Sequence, residues 1–351
     1  MYVLNDKIKN LVPYEPISGT YDIRLDANEC PDNLPDDIRA QLKARLDDIS
    51  FNRYPDPLAS RLVASFADYY GIDPAFVTAG NGSDELIFLI ESAFLQKGDK
   101  MLVVAPDFSM YNFYSSICEV ECDTFLKGED LEIDVDALIE KINRDDVKLV
   151  LFSNPCNPTG KGITREEAVK LVTSVKALVI LDEAYMDFCT ESLLDKIGIY
   201  SNLIIFRTAS KLVGSAALRL GFAVADKTVA RAIQAVKSPY NVNSVSQAFG
   251  EIIYRNKDYL QKRQKTIVRN KEILYNGLME IAEAREGFEP FSSVANFVFV
   301  KTDEAKDIWT FLKDRSIVVR LMGAYLRITA GTEREVSAVL AALKEYFEVN
   351  A

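Results

Sequence analysis

Lys211 closes the stretch RTASK at 207–211, directly after the apolar run NLIIF and before LVGSAALRLGF, which places Arg219 eight residues on. A lysine where a buried strand meets a loop, near a second cation, is a candidate proton carrier. Taken alone, it reads as a solvated loop residue, and the rest of the chain overturns that reading. Asp182 opens DEAY immediately after ALVIL, so its carboxylate stands at the end of a buried run, where an unpaired charge is costly. It needs a cation, and a protonated ring nitrogen or a loop Lys or Arg would each serve. AFVTAGNGSDELIFLI reads as a strand, a Gly-rich turn and a helix whose first turn holds Ser83, Asp84 and Glu85. Free N–H groups at such a start suit a phosphate, although Ser83 as an ordinary N-cap accounts for the same residues. The turn is neither a G-x-G-x-x-G fingerprint nor a Walker A motif. SNPCNPTG ends the run VKLVLF; turn-making explains its prolines and glycine, but not why two asparagines border one strand end.

The elements that must position these groups recur along the chain. KMLVV leads to APDFSMY, VKLVLF to SNPCNPTG, ALVIL to DEAYMDF and NLIIF to RTASK. Near-continuous Val/Ile/Leu runs separated by helical stretches predict buried strands of a mainly parallel sheet. Ligands bind such sheets beyond the carboxyl ends of the strands, so the residues after each run are candidates for one shared site. After KSPYNVNSVSQAF the texture changes to the charged helical stretch NKDYLQKRQKTIVRNKEILYNGLMEI, followed by ANFVFVKT, EAKDIWTFLKDR, IVVR and YLRIT. A helix with two or three strands predicts a smaller α+β domain, joined through a long helix rather than a tether.

Composition narrows the chemistry. The 351 residues contain no histidine, which removes His-based triads, histidine metal ligands and the usual general base near neutral pH. Proton transfer falls to Lys, Tyr, Asp, Glu, Cys or a cofactor. A formal charge of −11 disfavours nucleic acid and anionic membranes, which require a basic face, so any phosphate must be held by a local site. The five cysteines, 30, 118, 122, 156 and 189, form no CxxC pair and read as reduced structural thiols, not as a metal site. No apolar run is long enough to span a bilayer and MYVLNDKIKNLVPYEP has no apolar signal core; the expected location is the cytoplasm.

In order, NRYPDP, GNGSDE, NPCNPTG, DEAY, RTASK and LRLGF, then ANF and LRIT, closely resemble the pyridoxal-phosphate-dependent aminotransferases of fold type I, and within them the histidinol-phosphate branch. The match runs from LDANECP at 25–31 to LRITAGT at 326–332. The resemblance implies an α/β fold with a large domain over 46–245, built on a mainly parallel seven-stranded sheet, and a smaller α+β domain from 1–45 and 246–351. It implies pyridoxal 5′-phosphate as cofactor. Lys211 would bind it covalently and, once released by the substrate amine, act as base and acid of the proton shift. Asp182 would keep the ring nitrogen protonated, and Asn157 and Tyr185 would hydrogen-bond the phenolic oxygen. Thr208, Ser210 and Arg219, with the amides of Ser83 and Asp84, would hold the phosphate.

Phe108 would stack on the ring at a position where the family commonly has tyrosine, and the run after Lys211 has alanine where a second glycine is more usual. Tyr54 would reach the phosphate from the second subunit of a homodimer. Arg327 would take the substrate's anionic end, with Arg320, Tyr14 and Asn28 as further substrate contacts. The implied partners are a small-molecule amino donor and a 2-oxo acid. The implied reaction moves an amino group between histidinol phosphate and 2-oxoglutarate by a ping-pong mechanism. The alternatives are an aromatic amino acid aminotransferase and a pyridoxal-phosphate-dependent phosphothreonine decarboxylase; a non-catalytic cofactor-binding protein is disfavoured by the complete lysine, aspartate and phosphate set.

Overall fold

The computed structural model describes residues 2–13, 15 and 17–349. Its strands are β1 (Ile23–Leu25), β2 (Val77–Asn81), β3 (Lys100–Ala105), β4 (Glu121–Leu126), β5 (Leu149–Ser153), β6 (Leu178–Asp182), β7 (Leu203–Thr208), β8 (Leu220–Ala225), β9 (Phe288–Phe291), β10 (Phe297–Thr302), β11 (Ile317–Met322) and β12 (Tyr325–Thr329).

Seven of them form one sheet in the order β2-β8-β7-β6-β5-β3-β4. Only β8 runs against its neighbours, β2 and β7. The central strands are buried along nearly their whole length, because helices cover both faces and each side chain, up or down, meets apolar surface. Alternate residues go to opposite layers: Val179 and Leu181 pack in one core with Phe152 and Phe222, while Ile180 packs in the other with Leu151 and Phe206.

The second sheet has the order β1-β11-β12-β10-β9. It has five strands, where the sequence predicts two or three. The additions are short: β1 has three residues, and β9 reads FEPF with Pro290 inside it. Neither is long enough to show a period, and proline is tolerated at a sheet edge. The helix Lys257–Ala284 runs from one core to the other. Leu260 packs in the large-sheet cluster, Ile267 in a small cluster with Tyr185 and Leu212, and Leu274, Leu278 and Ile281 against the second sheet. No described helix is long and apolar enough to cross a membrane.

Candidate active site

Strand register assembles the site. Asp182 lies between Ser153 of β5 and Phe206 of β7, and Thr208 lies beside Gly221 of β8, which pairs in turn with Gly80 of β2. The carboxyl ends of β5, β6, β7 and β2 therefore share one edge. From β2 the chain enters the helix Gly82–Phe94 with no intervening loop, and its N-cap, Asn81, makes no side-chain cap bond. Ser83 sits inside the first turn rather than capping it, and first-turn N–H groups have no helical acceptor.

Two glycines allow this close approach. A Cβ on Gly221 would lie 2.3 Å from the carbonyl carbon of Gly82, and one on Gly82, at φ +77°, would lie 2.8 Å from Arg219 Nη2. Arg219 itself holds a left-handed φ of 50° and places Nη2 3.1 Å from Asp84 Oδ2. Thr208 Oγ1 donates to Ser210 Oγ at 3.0 Å and accepts from the Ser210 amide at 3.1 Å. A helix start, two hydroxyls and a half-exposed guanidinium lie together here, donors of the kind that suit an anion.

Asp182 is 4% exposed. It accepts from the Tyr111 hydroxyl at 2.9 Å and from the Ala184 amide at 3.1 Å. Among the described residues it forms no ion pair. Burial pushes its pKa up to about 7, against the opposing pull of the Tyr111 hydrogen bond. A buried carboxylate in this state is suited to an incoming cation. Phe108 is half-buried and meets Tyr111 edge-on, with ring centroids 5.5 Å apart. Its loop is fixed by Asp107, which accepts from the Phe108 amide at 2.7 Å and the Ser153 amide at 3.0 Å.

Lys211 is half-buried; its Nζ donates to the Ala27 carbonyl at 3.3 Å and lies 5.4 Å from the centre of the Tyr185 ring. The Tyr185 hydroxyl accepts from Asn28 Nδ2 at 2.9 Å. Asn28, buried at a left-handed φ of 53°, is locked by Thr329, which accepts from its amide and donates to its Oδ1, both at 3.1 Å. Asn157 Oδ1 accepts from Arg327 Nη1, and Arg327 Nη2 donates to the Asp26 carbonyl at 2.6 Å. The second sheet thus touches the loop after β5 through this arginine. Arg320 lies opposite Arg327 in antiparallel register, and it forms no ion pair among the described residues.

Among the described residues, Tyr54 makes no ring contact or hydrogen bond with this group. It is 82% exposed and stacks on Tyr240 at 4.6 Å between centroids. Tyr14 lies outside the described residues. Three side chains around the site went unread in the sequence: Tyr111, Arg207 and Arg263. Arg207 is buried and pairs with Glu183 at 2.7 Å and Asp187 at 2.8 Å, fastening β7 just before Thr208 to the turn that carries Asp182 and Tyr185. Its signal was a charge within an otherwise apolar strand.

Residues 20–343 match the aminotransferase class I and II family. A histidinol-phosphate aminotransferase of Clostridium novyi is 39% identical over 342 residues, covering 96% of this chain and 95% of that protein. One of Clostridium kluyveri is 37% identical over 343 residues, covering 96% and 97%. Among solved structures, the histidinol-phosphate aminotransferase from Sinorhizobium meliloti in complex with pyridoxal-5′-phosphate has a TM-score of 0.88 at 22% identity, over 99% of this chain and 98% of that one. That likeness establishes the shared fold.

Proposed function

This chain belongs to the class I and II aminotransferases, and from that premise we propose that it exchanges an amino group between L-histidinol phosphate and 2-oxoglutarate, with pyridoxal 5′-phosphate as cofactor, in histidine biosynthesis. Relatives that carry this name align along nearly its whole length. The observation that carries the substrate is the opposition of Arg320 and Arg327. Like charges directly across an antiparallel pair disfavour each other, and a phosphate or carboxylate between them reverses the sign.

The residues present fit the cofactor. Its ring, when bound, takes up the electrons left as the substrate Cα–H bond breaks. The Asp182 carboxylate, buried and without an ion pair among the described residues, suits a protonated ring nitrogen. Thr208, Ser210, Arg219 and the amides of Ser83 and Asp84 suit the phosphate, and Phe108 suits the ring face. Because Asn157 uses its oxygen on Arg327, its Nδ2 is left to donate. Because the Tyr185 hydroxyl accepts from Asn28, its own proton is left to donate to the phenolic oxygen. Lys211 Nζ takes the proton from the substrate Cα.

Arg327 binds the substrate's anionic end with Arg320, and Asn28 and Tyr14 add contacts. Residues 46–245 are assigned to the cofactor-binding domain and 1–45 with 246–351 to the smaller one, although Ile38, Leu42, Ile253, Tyr254 and Leu260 from the latter ranges pack into the large-sheet core. Tyr54 is assigned to the phosphate of a second subunit in a cytoplasmic homodimer. The test is glutamate formation from 2-oxoglutarate with each amine in turn. Histidinol phosphate should be the preferred donor; preference for phenylalanine, or carbon dioxide release from phosphothreonine, would reassign the enzyme.

A further inference from the structure

The buried face of the helix Lys257–Ala284 carries polar side chains that donate to main-chain carbonyls of separate loops. Gln264 bonds to Asp187, Asn270 to Gly331 at 2.9 Å and Lys271 to Ser293 at 2.7 Å. Arg263 differs from these because its acceptors flank the reacting lysine. It is 7% exposed. Its Nη1 donates to the Val213 carbonyl at 3.3 Å, two residues past Lys211, and to the Tyr259 hydroxyl. Its Nη2 donates to the Asp32 carbonyl, and its Nε to Cys30 Sγ at 2.8 Å. Gly214, at φ +63°, makes the room: a Cβ there would lie 2.4 Å from Nη2. The segment held on the other side, Ala27–Asp32, is the one whose Ala27 carbonyl accepts from Lys211 and whose Asn28 donates to Tyr185.

We propose that Arg263 is a positioning residue for amino transfer, pinning the Ala27–Asp32 segment to the Lys211 loop so that the Lys211 amine and the Tyr185 hydroxyl keep their placement. It acts through those two segments and touches neither substrate nor cofactor. The inference rests on Lys211 being the reacting amine. One planar fork serves carbonyls on both segments at once, which an ammonium on a flexible stem does not.

The test compares Arg263→Met and Arg263→Lys with wild type in the full chain as purified. It follows alkylation of Cys30 by iodoacetamide through peptide mass spectrometry, with Cys156, 1% exposed, as internal reference. Arg263 holds the Cys30 thiol pKa down against the larger upward push of burial. Losing the guanidinium removes that downward pull, so faster alkylation reports greater access to the thiol, and Arg263→Lys, which keeps most of the side-chain bulk, separates opening of the segment from the space left by Arg263→Met. In Arg263→Met, Cys30 should react about tenfold faster or more while Cys156 stays protected, and kcat should fall about tenfold with KM changed much less, the pattern of lost placement and not lost binding. Arg263→Lys should recover part of both.

Unchanged Cys30 reactivity overturns the clamp whatever the activity. Parallel acceleration at Cys156 means general loosening and overturns the positioning role, as does a freed Cys30 with unchanged kcat. If Arg263→Met does not fold, Arg263→Lys carries the same measurements. If wild type transfers no amino group from any donor, the functional reading falls, and Cys30 alkylation still decides whether the clamp exists.

Discussion

Tyr111 donates to Asp182 Oδ2 at 2.9 Å from the helix Met110–Cys118, behind the strand end that presents the carboxylate. With the Ala184 amide it holds the side chain in one orientation and favours the ionised form, while burial works against ionisation. Asp182→Asn keeps the shape and removes the charge. The proposed role predicts a fall in kcat of about 100-fold or more with a smaller change in KM, in line with preorganised charges elsewhere. Tyr111→Phe should be milder, about tenfold, the worth of one hydrogen bond to a charged group. Steady-state kinetics on the two variants checks both. A raised KM at unchanged kcat for Asp182→Asn would take Asp182 out of the electronic role.

Glu91 sits inside the helix Gly82–Phe94, whose start is assigned to the cofactor phosphate. It is fully buried, and neither carboxyl oxygen has a hydrogen-bond partner among the described residues. Burial pushes its pKa from 4.5 to about 8. The folded-state value is the raised one, so between these pH values the folded chain holds a proton that the unfolded chain has released. Its contribution to stability is fully present below 4.5 and is lost as pH rises through 8, at no more than about 1.4 kcal/mol per pH unit. Glu91→Gln abolishes that proton uptake. Urea midpoints at pH 5 and pH 8.5 should show the variant gaining on wild type at the higher pH; an equal pH dependence would mean that Glu91 ionises freely in the folded state.

Asp182 was legible because it ends an apolar run, and Lys211 because it stands in the loop just beyond one; a charge at or near the end of a buried strand demands a reason. Strands were visible where an apolar run was continuous, as in β7 and β10, but not at β4, whose ECDTFL mixes polar and apolar residues, nor at β8, which follows the Lys211 loop directly, nor at β1 and β9, which are too short to show a period. Arg263 was hidden by its neighbours: YLQKRQKT looks like a solvated helical face, and the arginine is buried only because carbonyls from distant loops arrive there. Tyr111 shares its helix with Tyr114, and only the fold decides which of the two meets Asp182. Asn28 occupies a left-handed turn because Thr329, 301 residues away, holds it. Contacts of this kind depend on topology and leave no local pattern.

Tyr54 is exposed and stacks on Tyr240. A shared site in a homodimer makes a prediction that a surface tyrosine does not. Lys211→Ala alone should abolish turnover with the fold intact, because the anion site lies on other residues. Mixed with Tyr54→Phe, it should form heterodimers in which both defects fall in one site and the other is whole. Activity above that of Tyr54→Phe alone, after subunit exchange, supports the assignment; no gain, with heterodimers present and Tyr54→Phe impaired by itself, removes it.

Arg320 and Arg327 stand opposite each other on β11 and β12, but their surroundings differ. Arg327 is buried and tied to Asn157 and Asp26, whereas Arg320 is half-buried and forms no ion pair among the described residues. Arg327→Ala should therefore weaken both half-reactions, by about 1.5–3 kcal/mol for a charge-assisted hydrogen bond, and should also loosen the loop that carries Asn157. Arg320→Ala leaves that loop alone. It should lower kcat/KM for histidinol phosphate by about tenfold or more, with histidinol and phenylalanine nearly unaffected, because of these three donors only the phosphorylated one brings more than one negative charge to share between the two guanidinium groups. The measurement is kcat/KM for histidinol phosphate, histidinol, phenylalanine and glutamate in wild type and both variants. Equal loss on all four donors in Arg320→Ala would make Arg320 a structural charge. A wild type that uses phenylalanine as well as histidinol phosphate would show that the arginine pair does not select the phosphate.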